Sequence, residues 1–211
     1  AMESAQLAYD FQKKHAKKDD VVYDIGANVG AYSLPIGKIV SKGSGTVYAF
    51  EPEAKNYHSL NKNIVANGLA EKIVPFALAI GDSLRFSEFF VSSDLAGSSL
   101  HSIDKEESEG VSFKSVHRQG MVVVSLDEFV KYPGILFPNH IKIDVDGVEN
   151  LIIRNMSEVL RDVRLRTISI EINQSLSGDY IESRLTEVGF RLKDKIYWEG
   201  KNILNAVFVR T

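Results

Sequence analysis

The chain predicts an α/β fold: an open, mostly parallel sheet with helices on both faces, closed by an antiparallel C-terminal hairpin strand. Three observations carry this. Short, almost wholly apolar runs such as VVYDI (21–25) and TVYAF (46–50) have the make-up of strands buried on both faces. Amphipathic stretches of helical period separate such runs, so strand and helix alternate along most of the chain. The last two strand-like runs, FRLKDKIYW and ILNAVFVR, flank the turn residues Glu199, Gly200, Lys201 and Asn202, which makes them a hairpin and sets one strand antiparallel to the rest.

Residues 3–18 carry Leu7, Ala8 and Phe11 on one side and lysines elsewhere, the pattern of an amphipathic helix packed ahead of the first strand. Strand 21–25 leads through Gly26 and Gly30 into a helix over about 29–41, in which Pro35 is expected to produce a bend. A Gly/Ser turn precedes strand 46–50. Pro52 then opens a helix reaching Asn67, with Gly68 as its stop, and KIVPFALAI (72–80) reads as the third strand. The alternation lapses between 82 and 120, where FSEFFV (86–91) and MVVVS (121–125) read as strands around a polar, Gly/Ser-rich stretch. Residues 92–120 are therefore expected to be an irregular insertion in a single domain spanning 1–211. Regular order resumes with a helix near 126–132, strand 140–144, a helix over about 148–160, strand 166–172, helix 178–188 and strands 190–197 and 203–210.

At 211 residues, 44% hydrophobic and 25% charged, the chain has the composition of a globular protein with one well-filled core. Its net charge of −3 offers no bulk attraction to nucleic acid or to an anionic membrane surface. Cysteine is absent, which excludes disulfides, thiolate nucleophiles and Cys-ligated metals and suits a reducing cytoplasm, the expected location. No apolar run nears the roughly 18 residues of a membrane span, and the first residues lack the apolar centre of a signal peptide. None of these features encodes an oligomeric state.

The segment VVYDIGANVG (21–30) reads as a strand, a glycine-bracketed turn and a helix start, the arrangement of a nucleotide-ligand loop. A dinucleotide fingerprint would place a third glycine at 28, but Asn28 stands there and a carboxylate, Asp24, lies just before the turn. At about 4 Å and an effective dielectric near 20, that charge repels a phosphate by about 4 kcal/mol and attracts a cation comparably. Glu51, at the end of the second apolar run, suits a ribose diol. A cationic nucleoside such as S-adenosylmethionine fits both features, and NAD fits one. In an open parallel sheet ligands lie beyond the carboxyl ends of the strands, and those ends here carry Asp24, Glu51, Asp82, Asp144 with Asp146, and Glu171.

DIGANVG, AFEP, NIVANGL, ALAIGD, GSSL, VSLDEF, IKIDVDGVE and SIEIN follow one another between about residues 20 and 211. In this order and spacing the chain resembles the FkbM-type S-adenosylmethionine-dependent methyltransferases. VSLDEF followed by KIDVDGVE is the more specific part, because the first two pieces are shared by many class I methyltransferases. The resemblance implies the class I methyltransferase (Rossmann-like) fold and methyl transfer to an oxygen of a sugar, glycan or natural product, so that the partner is a small-molecule or glycan acceptor. It also implies that Asp24, Gly26, Asn28 and Gly30 hold the methionine part of the cofactor, that Glu51 holds its ribose and that Ala79 to Asp82 border the adenine. Asp144 would face the methyl group and the acceptor. Two departures stand out: Asp146 occupies a position usually held by Glu, and Pro35 a usually apolar one.

Methyl transfer from a sulfonium is an in-line displacement that needs positioning, and a base when the acceptor is a weakly acidic hydroxyl. Asp144 is the candidate base, beside Gly147, and His101 in the irregular segment is the alternative. A divalent ion on Asp144, Asp146 and Glu171 would also activate a hydroxyl, but it is not the favoured reading. His140 starts its strand, roughly 13 Å from Asp144 at about 3.3 Å per residue, and so lies at the opposite end. Three rival readings fit the residues less well. A nicotinamide oxidoreductase lacks its third glycine and a hydride-transfer acid. A catalytically weak cofactor-binding partner subunit would keep the loop without turnover. An RNA methyltransferase, which NIVANG also resembles, is disfavoured by the net charge and by IKIDVDG standing where an Asn-Pro-Pro-aromatic motif would be.

Overall fold

The computed structural model of the chain describes residues 2–92, 102, 103, 107, 108, 111, 112, 114–145, 147–198, 200 and 202–211. In chain order, α1 (Met2–His15) precedes β1 (Val21–Ile25), α2 (Ser33–Val40), β2 (Thr46–Phe50), α3 (Ala54–Ala66) and β3 (Ile73–Phe76). There follow β4 (Ala79–Ile80), β5 (Arg85–Val91), three two-residue strands β6 (Ser102–Ile103), β7 (Glu107–Ser108) and β8 (Val111–Ser112), then β9 (His117–Val124) and α4 (Leu126–Phe129). The chain ends with β10 (His140–Ile143), α5 (Glu149–Arg154), α6 (Ser157–Arg161), β11 (Thr167–Asn173), α7 (Gln174–Glu187), β12 (Phe190–Tyr197) and β13 (Ile203–Arg210).

The main sheet has seven strands in the order β12-β13-β11-β10-β1-β2-β3. Neighbours from β11 to β3 pair parallel, while β13 runs antiparallel to both β11 and β12. The strand order reverses between β1 and β10, so the crevice of this α/β sheet opens beyond the carboxyl ends of those two strands. A smaller sheet, β4-β9-β5-β6, contains the two strands expected at 86–91 and 121–125 and takes in Ser102 and Ile103 from the segment expected to be irregular.

Strand alternation divides the core. Tyr23, Ile25, Tyr48, Phe50, Ile141 and Ile143 face one side, where Tyr23, Tyr48, Phe50, Phe76 and Phe129 form a continuous aromatic cluster. Val22, Val47, Ala49, Tyr32, Ile36 and Leu60 fill the other side, under α2 and α3. Next to them, under α1, the sheet carries polar side chains: His140 and Lys142 on β10 and Thr167 and Ser169 on β11 are all buried. Leu7 and Phe11 of α1 pack on Val207 there, and Gln12 Nε2 donates to Thr167 Oγ1 at 2.8 Å.

Several elements depart from the sequence expectation, and α7 begins at Gln174, four residues before the expected 178. The second helix starts at Ser33 and not near 29, because Gly26, Asn28 and Gly30 all adopt positive φ and keep the chain in turns. Pro35 consequently falls in the first helical turn, where a missing N–H has no intrahelical acceptor to lose. The run 72–80 divides after Phe76, and Ala79 and Ile80 leave the main sheet to pair with Val123 and Val124. The helix over 148–160 is interrupted at Asn155, whose Nδ2 bonds back to the Leu151 carbonyl at 2.8 Å. Among the described residues no helix is long and apolar enough to cross a membrane.

Candidate active site

The turn after β1 is shaped by close backbone approach. Gly26 N and Ala27 N both donate to the Phe50 carbonyl, at 3.1 and 3.0 Å, and Asp144 N donates to the Ile25 carbonyl at 3.1 Å. Gly26 has φ +78°, and a Cβ at this position would lie 1.9 Å from the Asp144 carbonyl oxygen. Only glycine meets both demands. Asn28, at φ +50°, uses its side-chain oxygen to accept from Val29 N at 2.8 Å, and Asn63 of α3 holds the Val29 carbonyl at 2.8 Å. Gly30, at φ +99°, completes the turn against Leu34 and Leu60.

Glu51 sits at the tip of β2 and reaches back to this turn. Its Oε2 accepts from Asn28 N at 2.7 Å and its Oε1 from Glu53 N at 2.9 Å. Burial pushes its pKa up to about 7, against the lowering effect of those two backbone donors. A carboxylate oxygen has two lone pairs, so each retains acceptor capacity. The loop that follows is fastened to the small sheet by Gln119 of β9, which accepts from Ala54 N at 2.9 Å and donates to the Pro52 carbonyl at 2.5 Å.

Asp24 has no exposed surface. Ser33 Oγ donates to its Oδ2 at 2.5 Å, and its Oδ1 lies 3.2 Å from the Lys142 ammonium without an aligned hydrogen bond, a Coulombic contact. In sequence Asp24 reads as an unpaired anion facing the ligand, but in the fold its register partner on β10 is Lys142. That ammonium also stands 3.3 Å from Asp144 Oδ2, donates to the Gly26 carbonyl at 3.1 Å and lies 5.9 Å from the Tyr32 ring centre. Burial lowers the Lys142 pKa, but Asp144 and Asp24 outweigh it, and the net shift is upward.

Asp144 follows β10, one strand across from the turn, with its side chain 19% exposed. Together with Ser169, Glu171 and Asn205 it lines a narrow crevice closed by Leu7 and Ala8 of α1. The next turn is held by Glu149, whose Oε1 accepts from Val145 N and Gly147 N, each at 3.2 Å; burial pushes its pKa up to about 7. The structure thus brings Asp24, Gly26, Asn28, Gly30, Glu51 and Asp144 to one end of the sheet. Ala79 is buried in the core of the small sheet with Phe89 and Val123, and Asp82 pairs with Arg85 at 3.1 Å. His101 and Asp146 lie outside the described residues. Among the described residues no three acids or histidines gather into a metal-holding group.

Sequence reasoning passed over Lys142, Ser33 and Gln119. For Lys142 a signal existed: a lysine two residues before Asp144 on a strand buried on both faces shares its face and needs an anion. For Ser33 and Gln119 none did, since their partners lie 9 and 65 or more residues away. His140 stays at the far end of β10, with its ring nitrogens 3.0 Å from Asp20 Oδ2 and 2.7 Å from Thr167 Oγ1, a buried fastening between strands and the segment after α1.

The profile of the methyltransferase FkbM domain family matches residues 24–192. Over 174 residues the chain is 24% identical to the hexuronic acid methyltransferase AglP of Haloferax volcanii, covering 82% of this chain and 64% of that protein. Among solved structures it is similar to the methyltransferase FkbM of Methylobacillus flagellatus KT, with a TM-score of 0.64, 14% identity and coverage of 98% of this chain and 47% of that one. The precorrin-6y C5,15-methyltransferase of Geobacter metallireducens GS-15 follows with a TM-score of 0.56, 13% identity and coverage of 98% and 87%. These likenesses bear on the fold, which is that of the class I methyltransferases. The chain spans less than two thirds of the curated relative it matches.

Proposed function

Because the chain belongs to the methyltransferase FkbM domain family, we propose that it is an S-adenosylmethionine-dependent O-methyltransferase acting on a hydroxyl of a sugar, glycan or natural product. One observation carries this reading: Glu51 and Asp144 stand on the two strands flanking β1 and converge on the same glycine turn. The donor set suits the cofactor. Glu51 retains acceptor capacity for a ribose diol, and Asp24, Lys142 and Asp144 together sum to one negative charge, which suits a cation.

When bound, the cofactor supplies an electrophilic methyl group on a cationic sulfur. In this reading Gly26, Asn28 and Gly30 shape the turn that receives its methionine part, with Asp24 supporting the turn from behind through Ser33 and Lys142. Glu51 orients the ribose, and the segment from Ala79 to Asp82 borders the adenine. Asp144 accepts the hydroxyl proton as the acceptor oxygen attacks, from the crevice it shares with Ser169, Glu171 and Asn205. His101 is the alternative base. A saccharide acceptor is favoured by the likeness to a hexuronic acid methyltransferase, and the net charge of −3 weighs against RNA. A chain without cysteine is in keeping with a cytoplasmic location.

The test is ligand binding followed by turnover. S-adenosylmethionine and S-adenosylhomocysteine are expected to raise the melting temperature, by mass action worth about 2.7 kcal/mol at a hundredfold excess over Kd, while NAD does not. Labelled-methyl transfer is then scanned across neutral and acidic saccharides. Stabilisation by NAD with none by S-adenosylhomocysteine would refute the reading.

A further inference from the structure

We infer that Lys142 is a positioning residue that sets the electrostatic charge at the methyl-transfer end of the site and ties Asp144 to the cofactor turn. The inference rests on the cofactor reading above. Lys142 lies inside the parallel sheet, between Asp24 on β1 and Ser169 on β11, with its side chain only 7% exposed. A buried ammonium is tolerated only when paired and hydrogen-bonded. Its partners belong to three separate parts of the site: the Asp24 carboxylate of β1 at 3.2 Å, the Gly26 carbonyl of the turn at 3.1 Å, and the Asp144 carboxylate beyond β10 at 3.3 Å. One ammonium therefore joins the residues assigned to cofactor and acceptor.

The charge matters because methyl transfer removes one. The sulfur–carbon bond breaks with its electron pair left on sulfur, the methyl carbon bonds to the acceptor oxygen, and the hydroxyl proton passes to Asp144. A site that held the cationic donor too tightly would stabilise the ground state more than the transition state, in which that charge is already dispersed. Asp24 and Asp144 without Lys142 would present two negative charges at this end, and with it they present one. Among the described residues, Glu51 at the tip of β2 and Tyr32 in the turn before α2 also act on this ammonium, and Glu171 of β11 lines the same crevice. None of these adds a second cation.

S-adenosylmethionine and S-adenosylhomocysteine differ at sulfur by one positive charge and a methyl group. The ratio of their dissociation constants, from titration calorimetry, reads the charge at this end without any acceptor or turnover. Lys142→Met is expected to shift the ratio toward S-adenosylmethionine by about tenfold, and Asp24→Asn toward S-adenosylhomocysteine by about tenfold, the effect of one charge in a partly desolvated site. The Asp24→Asn/Lys142→Met double variant conserves net charge and should return within about threefold of the wild type. Lys142→Met strands the buried Asp24 carboxylate and can fail to fold, in which case Asp24→Asn and the double variant carry the test. A purely structural lysine would change stability and leave the ratio alone, so ratios within about twofold in every folded variant overturn the inference. A wild-type protein that binds neither compound overturns the cofactor reading and this inference with it.

Discussion

Replacing Glu51 by glutamine separates the charge of this side chain from its shape. In the wild type both carboxylate oxygens accept backbone N–H groups, Asn28 N at 2.7 Å and Glu53 N at 2.9 Å. The amide of glutamine must turn its NH2 toward one of these donors, leaving a buried N–H unpaired at a cost of about 1–3 kcal/mol of stability. For the ligand, a charged acceptor contributes about 1–1.5 kcal/mol more than the neutral amide oxygen that glutamine keeps, so S-adenosylhomocysteine is expected to bind Glu51→Gln roughly 5- to 13-fold more weakly. The pH dependence is the sharper part. Burial raises the Glu51 pKa to about 7, and a diol donates its hydrogen bonds to the ionised form. Wild-type affinity should then fall about tenfold from pH 8 to pH 6, as the ionised fraction drops from about nine tenths to one tenth. The sign for the unliganded fold is opposite. A carboxyl whose folded pKa lies above its unfolded value stabilises the protein at low pH, and that contribution is lost as pH rises from about 4.5 through 7. Titration calorimetry across pH 5.5–8 measures the binding slope. An affinity that is flat with pH in the wild type, or an unchanged slope in Glu51→Gln, would show that this carboxylate does not touch the ligand.

Gly26→Ala places a Cβ 1.9 Å from the Asp144 carbonyl at φ +78°, and should destabilise the fold by about 3–5 kcal/mol with loss of cofactor binding; a variant with wild-type melting temperature contradicts the turn geometry. Glu149→Ala removes the acceptor for Val145 N and Gly147 N, so urea unfolding should reveal a loss of about 1–3 kcal/mol, larger at about pH 5 than at about pH 8 because the burial-raised pKa of about 7 makes the glutamate's contribution fade as pH rises. Asp144→Asn, assayed with an acceptor found in the saccharide scan, should lower kcat about a hundredfold or more while S-adenosylhomocysteine affinity stays within about threefold. Near-normal turnover by that variant would move the base to His101.

The family motifs VSLDEF and KIDVDGVE, together with the strand and helix periods, sufficed for the sheet, its antiparallel C-terminal ending and the strand tips that bear acids. Such features are local: buried strands read as apolar runs, and glycines at positive φ mark the turn. The end of β3 at Phe76 and the departure of Ala79–Ile80 into a second sheet were not local, because the choice depends on β9, more than forty residues later, offering Val123 and Val124 as partners. The same holds for the site. Asp24 and Asp144 were legible as acids at strand tips, but their electrostatic state was not, since it depends on the register that sets Lys142 between them. Likewise Glu51 could be located from its position after TVYAF, while its pKa near 7 follows from burial under the β1 turn. Residue type and spacing therefore determined which groups gather at the carboxyl ends of the strands. Tertiary packing decided which of them are paired, buried or open, because desolvation and Coulomb interactions depend on neighbours that the chain brings together only when folded.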